Sequence, residues 1–360
     1  MATLNVLALQ PWDKGSHLAV RESIGRHSAH NWTWLTRKGR MPRWRLRFAG
    51  LDFAREVREQ GRGYDAVFAT SMCSLADFRA TAPRSIANLP HVLYMHENQA
   101  VYPSSAGARK TDVERDVHLV FTNLASIEAA DRVLWNSAFN RDSFVKGVAE
   151  ILQHAPEPSE GGWEERLRAK SEIVWPPVEV LHNPRDDRYP TDVIRVAWPH
   201  RWEHDKGCED LLELVRSNPT QSKVPVWFFV LGIRQKTVPE PMKRLLEEFG
   251  DRIVHFDGNA DRATYLNALR TCDWVTSTAY HEFFGIGVCE ALLCGCLPWL
   301  PDRLSYPELV PEPYRGLTPE NPPADPAAVR QAIAEHLKPA LAPNAVARID
   351  AALDPIMDIM

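Results

Sequence analysis

Short apolar runs recur along this chain, and each is followed by a polar or glycine-bearing loop and then by a helical run. Parallel strands need a crossover connection, usually a helix, so the alternation is typical of α/β proteins with parallel sheets. A first series of predicted strands covers residues 4–9, 64–70, 91–95 and 132–135. A second series covers residues 194–198, 226–231, 253–258, 274–277 and 297–300. Each series predicts one Rossmann-like half.

The length of the chain favours two domains. At 360 residues it exceeds the size that one hydrophobic core usually supports. We expect an N-terminal Rossmann-like domain over residues 1–180 and a C-terminal one over residues 191–340, with a proline-bearing connector within 175–190. The chain closes with helical runs, and we expect residues 341–360 to return to the N-terminal domain.

Composition and charge exclude several classes of protein. A hydrophobic content of 44% with 25% charged residues is ordinary for a globular domain. The net charge of −5 argues against a globally basic nucleic-acid binder but leaves local basic patches open. The N-terminus lacks the features of a secretory signal, and no run approaches about 18 apolar residues. We therefore expect a cytoplasmic protein with no membrane span.

The six cysteines carry no metal or disulfide signature. They form no Cys-x-x-Cys pair and stand mostly in apolar runs, at Cys73, Cys208, Cys272, Cys289, Cys294 and Cys296. Reduced, buried thiols are the expected state. No feature of the sequence fixes an oligomeric state.

The stretch 281–296 combines a predicted strand, a glycine-bearing loop and a helix. Gly285 and Gly287 allow tight backbone turns and close approach to a ligand. The N-terminus of the following helix suits an anion such as a diphosphate. Glu282 and Glu290 are eight residues apart, one in the loop and one about a turn into the helix, so both can face one crevice. The alternative is an ordinary packed strand–helix junction.

A second candidate loop follows the predicted strand 194–198. Arg201 and Lys206 are five residues apart in a loop that opens a helix, so both cations can converge on one anion. A solvated charged loop is the competing interpretation.

Polar residues also follow strands in the first half. His96, Glu97, Asn98 and Gln99 stand together at the carboxyl end of strand 91–95, where open α/β sheets place ligands. After strand 132–135, Asn136 or Ser137 is placed to cap a helix. After strand 4–9, Ser16 is expected to cap the next helix, and Gly15 is the only glycine of that loop.

Residues 31–62 are rich in arginine, with tryptophans between the basic residues. Cations suit a phosphate backbone and aromatic rings suit exposed bases, so the segment fits RNA binding. The alternative is a solvated face with its tryptophans turned inward. The basic residues are Arg37, Lys38, Arg40, Arg43, Arg45, Arg47, Arg55, Arg58 and Arg62, and the tryptophans are Trp32, Trp34 and Trp44.

The Glu-x7-Glu spacing around Phe-Gly, followed by Glu-Ala-Leu-x-Cys-Gly-Cys-Leu-Pro, resembles the donor signature of retaining GT-B glycosyltransferases of the family-4 type. The resemblance implies two Rossmann-like domains facing a central cleft. It also implies that Glu282 contacts sugar hydroxyls and Glu290 the ribose of a nucleotide sugar, with transfer by same-face attack assisted by the leaving phosphate.

The same resemblance assigns further donor contacts. Arg201 and Lys206 match the element that binds the diphosphate, although His200 stands where the family has glycine. His96 would contact the sugar or the acceptor. The remaining donor positions are Phe284, Gly285, Ile286, Gly15 and, near the nucleotide base, Asp257.

A narrower resemblance is to the tRNA-queuosine mannosyltransferase group. It is carried by His-Glu-Asn-Gln at 96–99, by 136–144, by Trp-Pro-His-Arg-Trp-Glu-His-Asp-Lys at 198–206 and by 281–285. It implies transfer of mannose from GDP-mannose to queuosine in a tRNA anticodon. The implied acceptor contacts are Glu97, Asn98, Gln99, Asn136, Arg37, Lys38, Arg40, Arg43 and Trp44.

No metal or cofactor beyond the donor substrate is expected, since the sequence has no Asp-x-Asp triplet and the two cations can neutralise a leaving diphosphate. Three alternatives stay open. They are a family-4-type transferase with a lipid-linked or small-molecule acceptor, a non-catalytic nucleotide-sugar or RNA-binding protein, and a sugar-nucleotide epimerase of the same fold.

Overall fold

The computed structural model describes residues 2–60, 63–102, 110–156, 161–180, 192–217, 224–232, 237–256 and 260–354, with the side chains of helix 110–129 described from residue 117. Most of the expected connector and the donor position Asp257 lie outside these residues. The chain divides into two compact units. Unit 1 is Met1–Pro177 with Ala342–Met360, and unit 2 is Val178–Leu341.

The described part of unit 1 is built on a six-stranded sheet in which every strand pair is parallel. Its strands are β1 (Asn5–Asp13), β2 (Asn31–Lys38), β3 (Ala66–Thr70), β4 (His91–Met95), β5 (Arg132–Trp135) and β6 (Ser171–Ile173), in the order β2-β1-β3-β4-β5-β6. Its helices are α1 (Ser16–His27), α2 (Pro42–Gln60), α3 (Leu75–Thr81), α4 (Arg84–Ala87), α5 (Lys110–Ala129), α6 (Ala138–Leu152) and α7 (Trp163–Ala169).

Side chains alternate between the two faces of this sheet because successive strand residues point in opposite directions. One face packs Leu7, Leu9 and Trp135 against helix residues such as Phe53 and Phe144. The other face packs a separate cluster around Phe68 and Tyr94. The last helix of the chain, α14 (Ala342–Leu353), joins that second cluster through Val346, Ile349, Ala352 and Leu353.

Helix α14 is tied to unit 1 by polar contacts as well. The buried carboxylate of Asp350 accepts a hydrogen bond from Ser28 Oγ at 2.7 Å and another from the backbone N–H of Ala29 at 2.8 Å. Helix α14 thus completes the first Rossmann-like domain.

Unit 2 contains a five-stranded sheet, again parallel throughout, in the order β11-β10-β7-β8-β9. The strands are β7 (Ile194–Trp198), β8 (Val226–Val230), β9 (Ile253–His255), β10 (Trp274–Thr276) and β11 (Leu297–Trp299). The helices are α8 (Cys208–Ser217), α9 (Glu240–Phe249), α10 (Arg262–Thr271), α11 (Ile286–Leu293), α12 (Tyr306–Leu309) and α13 (Pro326–His336). The predicted class of two parallel-sheet α/β domains is confirmed.

Each sheet has a point where the strand order reverses. In unit 1 the chain places β2 on one side of β1 and then crosses to β3 on the other side. In unit 2 it places β8 and β9 on one side of β7 and then crosses to β10. Ligands of open α/β sheets bind beyond the carboxyl ends of the strands at such a reversal. The loops after β1, β3, β7 and β10 therefore hold the expected binding positions.

Three local predictions need correction. Strand β1 does not end at residue 9 but continues through Pro11 to Asp13, with a register shift between Gln10 and Asp13. Strands β2 and β6 were not predicted at all. The N-cap of α1 is Gly15 with a φ of 59°, and Ser16 is instead the first residue of the helix.

No helix in the described ranges is long and apolar enough to cross a membrane. All six cysteines are buried and free.

Candidate functional site

Two loops of unit 2 meet at the reversal point of its sheet, and Lys206 joins them. The loop after β7 ends in Lys206, whose Nζ donates to the carbonyl of His281 at 2.8 Å and to Glu282 Oε2 at 3.3 Å, both in the loop after β10. Asp205 Oδ2 lies 3.1 Å from the same Nζ. The backbone N–H of Tyr280 also donates to the carbonyl of Asp205 at 2.9 Å. The two loops are thus one hydrogen-bonded unit.

The Lys206–Glu282 pair stays ionised although it is largely buried. Burial alone would lower the pKa of Lys206, but Glu282 and Asp205 outweigh it and raise that pKa. Burial alone would raise the pKa of Glu282, but Lys206 outweighs it and lowers that pKa. The pair is therefore a fixed positive and negative charge at neutral pH.

His200 lies beside this pair as a neutral imidazole. Its Nδ1 is 3.9 Å from Glu282 Oε2, and burial lowers the pKa of the ring to about 4. Its Nε2 is buried without a hydrogen-bond partner in the described part of the chain. A nitrogen of an uncharged imidazole can accept a hydrogen bond from a ligand hydroxyl group or donate one to it, according to the tautomer.

Glycines let the two loops approach each other. Gly207 has a φ of +68°, and a Cβ at this position would lie 2.1 Å from the carbonyl oxygen of Thr278. A Cβ at Gly287 would lie 2.8 Å from the carbonyl oxygen of Pro199. The sequence predicted that Gly285 and Gly287 allow close approach to a ligand. At Gly287 the close approach in the structure is to the loop after β7.

The remaining residues of the 282–290 motif are divided between core and loop. Gly285 is the N-cap of α11 in a left-handed conformation, and Ile286 begins the helix. Phe284 is 2% exposed, so its side chain belongs to the core and only its backbone is available to a ligand. Ser305 Oγ donates to the carbonyl of Phe284 at 2.9 Å and fixes that backbone.

Glu290 is held by groups that the sequence patterns did not indicate. It lies in α11 with 5% exposure, and its Oε1 accepts from Arg262 Nη2 at 2.5 Å. Tyr265, one turn along α10 from Arg262, is also hydrogen-bonded to this carboxylate. Burial raises the pKa of Glu290, and Arg262 and Tyr265 only partly offset it. The Glu290 carboxylate is therefore buried and held in one orientation by Arg262 and Tyr265.

Arg201 differs from Lys206 in its exposure. Its side chain is 51% exposed and its Nη2 lies 3.1 Å from Glu203 Oε2. Arg201 is therefore accessible to an anion in solvent, whereas the three N–H groups of Lys206 point at protein oxygens. Within the described ranges, no cluster of three or more His, Cys, Asp or Glu side chains is arranged to hold a metal ion.

In unit 1, two buried histidines stand at the carboxyl edge of the sheet. His96 follows β4 and His17 lies in the first turn of α1, with their ring centroids 4.0 Å apart. Burial lowers the pKa of His17 to about 3, and burial together with the neighbouring His17 takes the pKa of His96 well below its usual range. Nδ1 of His17 and Nε2 of His96 are both buried with no hydrogen-bond partner among the described residues. The two neutral rings can therefore serve uncharged hydroxyl groups.

The residues next to His96 mainly support its loop. Asn136 donates to the carbonyl of His96 at 2.7 Å, and Asn98 donates to Asn140 Oδ1 at 2.8 Å. The N–H of Gln99 donates to Asn123 Oδ1 at 3.0 Å, and Glu97 is half-buried. The amides of Asn98 and Asn136 are used inside the fold. Ser137 is the N-cap of α6 and accepts from the N–H of Asn140, as one of the two cap predictions stated.

The basic segment forms β2 and α2. Arg37 donates to Asp52 and Glu56 at 2.8 Å each, so its charge is already neutralised. Trp32 and Trp34 stack on each other and pack against the buried Phe68. Of the expected acceptor contacts in this segment, Lys38, Arg40, Arg43 and Trp44 face solvent, and Arg47, Arg55 and Arg58 are exposed as well. Arg37, Trp32 and Trp34 therefore fit the interpretation without RNA. Lys38, Arg40, Arg43 and Trp44 are exposed, as RNA binding requires.

Sequence reasoning missed three residues at these sites: His17, Arg262 and Tyr265. His17 could have been noticed as a histidine directly after a Gly-Ser turn at a strand end. No local pattern singles out Arg262 or Tyr265, because they contact Glu290 only through the folding of α10 against α11.

Residues 5–178 match the family described as tRNA-queuosine alpha-mannosyltransferase N-terminal, and residues 184–348 match the glycosyl transferases group 1 family. The tRNA-queuosine alpha-mannosyltransferase of Drosophila melanogaster is 31% identical over 321 residues, which cover 86% of this chain and 82% of that protein.

The fold is shared with solved structures. The N-terminal domain of trehalose-6-phosphate phosphatase from Candida albicans has a TM-score of 0.68 at 10% identity, covering 98% of this chain and 97% of the other. Sucrose-phosphate synthase from Thermosynechococcus elongatus has a TM-score of 0.60 at 16% identity, covering 97% and 94%. At these identities the likeness shows the fold alone, which is the GT-B type. The chain is therefore a GT-B glycosyltransferase and belongs to the tRNA-queuosine alpha-mannosyltransferase family.

Proposed function

We propose that this glycosyltransferase moves mannose from GDP-mannose, with retention of configuration, onto queuosine in the anticodon of a tRNA. The donor is held by unit 2 and the acceptor by unit 1. The name of the Drosophila relative supports the sugar and the acceptor, and the family resemblance supports the nucleotide. We also propose that the enzyme acts in the cytoplasm, a reducing compartment, since its six cysteines are buried and free.

The observation that carries the donor half is the buried Lys206–Glu282 pair at the reversal point of the unit 2 sheet. Glu282 is an acceptor held in place by a cation, so it is suited to orient sugar hydroxyls without moving. Lys206 contributes a buried positive charge that favours the diphosphate. Arg201 reaches solvent, where it can bind the diphosphate directly. The N-terminus of α11 adds partial positive charge as the leaving group becomes more negative.

Glu290 is proposed to accept hydrogen bonds from the ribose hydroxyls of the nucleotide. Its partner Arg262 is 48% exposed and lies at the start of α10. Arg262 and Tyr265 orient the carboxylate and favour its charged form, which partly offsets the effect of burial.

On the acceptor side, the neutral pair His17 and His96 suits uncharged hydroxyl groups, which both a hexose and a cyclopentenediol offer. His96 is proposed to contact the transferred sugar or the acceptor diol. His17 supports the His96 ring by direct ring contact. Metal-independent transfer remains part of the proposal, with the two cations and the helix N-terminus neutralising the leaving diphosphate.

The proposal is tested by incubating the enzyme with radiolabelled nucleotide sugars and with tRNA that contains or lacks queuosine. Label from GDP-mannose should enter only the queuosine-containing tRNA. A metal chelator should not prevent this transfer, because the proposed reaction needs no metal ion. Label that enters a lipid extract instead would support the lipid-linked acceptor. Conversion of one free nucleotide sugar into another would support an epimerase.

A further inference from the structure

A row of apolar side chains lies exposed on the outer face of helix α2 and at its entry. Met41 is 66% exposed, Trp44 56%, Phe48 42% and Leu51 40%. The rings of Trp44 and Phe48 are in contact, with centroids 5.3 Å apart. We call Met41, Trp44, Phe48 and Leu51 the α2 platform. Monomers rarely expose contiguous apolar patches without a binding role.

The platform is not the packing face of the helix. Helix α2 already buries Leu46, Phe53 and Val57 on its inner side. Gly50 on that side allows contact with the loop before α3, since a Cβ there would lie 2.2 Å from the carbonyl oxygen of Ser74. The exposed row is thus a second apolar face, and folding of unit 1 does not require it.

The segment that carries the platform is basic, although one of its arginines, Arg47, lies 3.6 Å from Asp77. Residues 40–51 contain four arginines, Arg40, Arg43, Arg45 and Arg47, and no carboxylate. Arg40 and Arg43 are exposed. The Nε of Arg45 is buried and has no hydrogen-bond partner among the described residues. A partner that complements this surface must combine negative charge with flat apolar groups.

The platform begins at the ligand edge of the unit 1 sheet. Helix α2 starts at Pro42, shortly after β2 ends at Lys38, and β2 is parallel to β1 and pairs Lys38 with Asp13. Its first turn therefore lies at the same sheet edge as Gly15 and His96. Met41, just before the helix, has a φ of 56°, which is strained for a non-glycine residue.

We propose that the α2 platform binds unpaired nucleotides of an RNA loop, with Trp44 and Phe48 stacking on a base and the flanking arginines contacting phosphates. The inference rests on the proposed tRNA acceptor and adds where the loop is held. Bases of a continuous A-form duplex are stacked on each other and do not reach a flat aromatic surface, whereas bases of a loop can be splayed out. A duplex would use the arginines and leave the aromatic row unused.

The test compares two RNAs in equilibrium binding: a stem with a seven-nucleotide loop and a blunt duplex of the same stem sequence. Trp44→Ala should weaken binding of the stem-loop by roughly 5- to 100-fold, the usual effect of losing one stacked base. It should change duplex binding by less than about 2-fold, and Trp44→Phe should restore most of the loss. The matched control is Trp227→Ala, which removes an exposed tryptophan of β8 in unit 2 and should change neither affinity.

Equal affinity of Trp44→Ala and the unaltered protein for the stem-loop would overturn the inference, as would an equal loss for both RNAs. Trp44-dependent binding to vesicles of phosphatidylglycerol with unchanged RNA affinity would assign the platform to a membrane surface instead. The proposed function fails separately, if the unaltered enzyme transfers no sugar to queuosine-containing tRNA. Stem-loop binding through Trp44 would then still be measurable.

Discussion

The decisive contact at the residue scale is the one between Lys206 and Glu282. Both follow strand ends, which is why the sequence alone indicated them. The structure adds that Lys206 ties down the loop of Glu282, since its Nζ donates to the carbonyl of His281 and to the carboxylate of Glu282. A buried charge that loses its partner is far more costly than a buried pair.

Replacing Lys206 with methionine should therefore destabilise unit 2 by roughly 3 to 5 kcal/mol and abolish transfer, because Glu282 is left buried without its cation. The free energy of unfolding is measured by urea denaturation. In the double variant Lys206→Met/Glu282→Gln, much of the stability should return while activity stays lost. A single variant as stable as the unaltered protein would show that the pair does not hold the loops.

Glu290 illustrates what sequence patterns leave out at this scale. Its place about one turn into a helix was predicted and is confirmed by α11. Its partner Arg262 lies 28 residues earlier in the chain, so no helical or strand spacing links the two. Only the packing of α10 against α11 brings them together.

At the scale of elements, strands with continuous apolar runs were predicted and β2 was not. Strand β2 reads Asn-Trp-Thr-Trp-Leu-Thr-Arg-Lys, and only Leu35 in it is fully buried. It is an edge strand, so polar residues face solvent and hide the strand signal. Pro11 similarly indicated the end of β1, yet the strand continues past it, because the register shift after Gln10 accommodates a residue with no N–H.

Helix α14 should stabilise unit 1 through Asp350 in particular. Asp350→Ala leaves Ser28 Oγ and the N–H of Ala29 without their acceptor, so we expect a loss of about 2 to 3 kcal/mol and a lower melting temperature. Asp302→Ala, at an aspartate whose side chain is 69% exposed, is the control and should have little effect. Unchanged thermal unfolding of Asp350→Ala would mean that apolar packing alone holds the helix.

On the scale of the whole molecule, buried neutral histidines in both units set the response to acid. Burial lowers the pKa of His17 to about 3 and the pKa values of His91, His200 and His281 to about 4. Unfolding returns each ring to a pKa of about 6.5, so between that pH and about 4 the unfolded chain binds more protons. Stability should therefore fall as pH falls through this window.

His91 allows a test away from the candidate sites, since it lies at the start of β4. In His91→Phe the stability of unit 1 should depend less steeply on pH, by up to one proton or about 1.4 kcal/mol per pH unit between roughly pH 6 and pH 4.5. Urea denaturation at a series of pH values measures the slope. Above about pH 7.5 the two slopes should coincide. Identical slopes in acid would show that His91 is protonated in the folded protein.

The central claim is that this enzyme attaches a hexose to queuosine in tRNA. The most direct measurement is nucleoside mass spectrometry of queuosine-containing tRNA after incubation with the enzyme and GDP-mannose. The account predicts that queuosine is replaced by a nucleoside heavier by one hexose, and that this product is sensitive to α-mannosidase. Queuosine left unchanged by active enzyme with GDP-mannose, or a hexose found on tRNA that lacks queuosine, would contradict it.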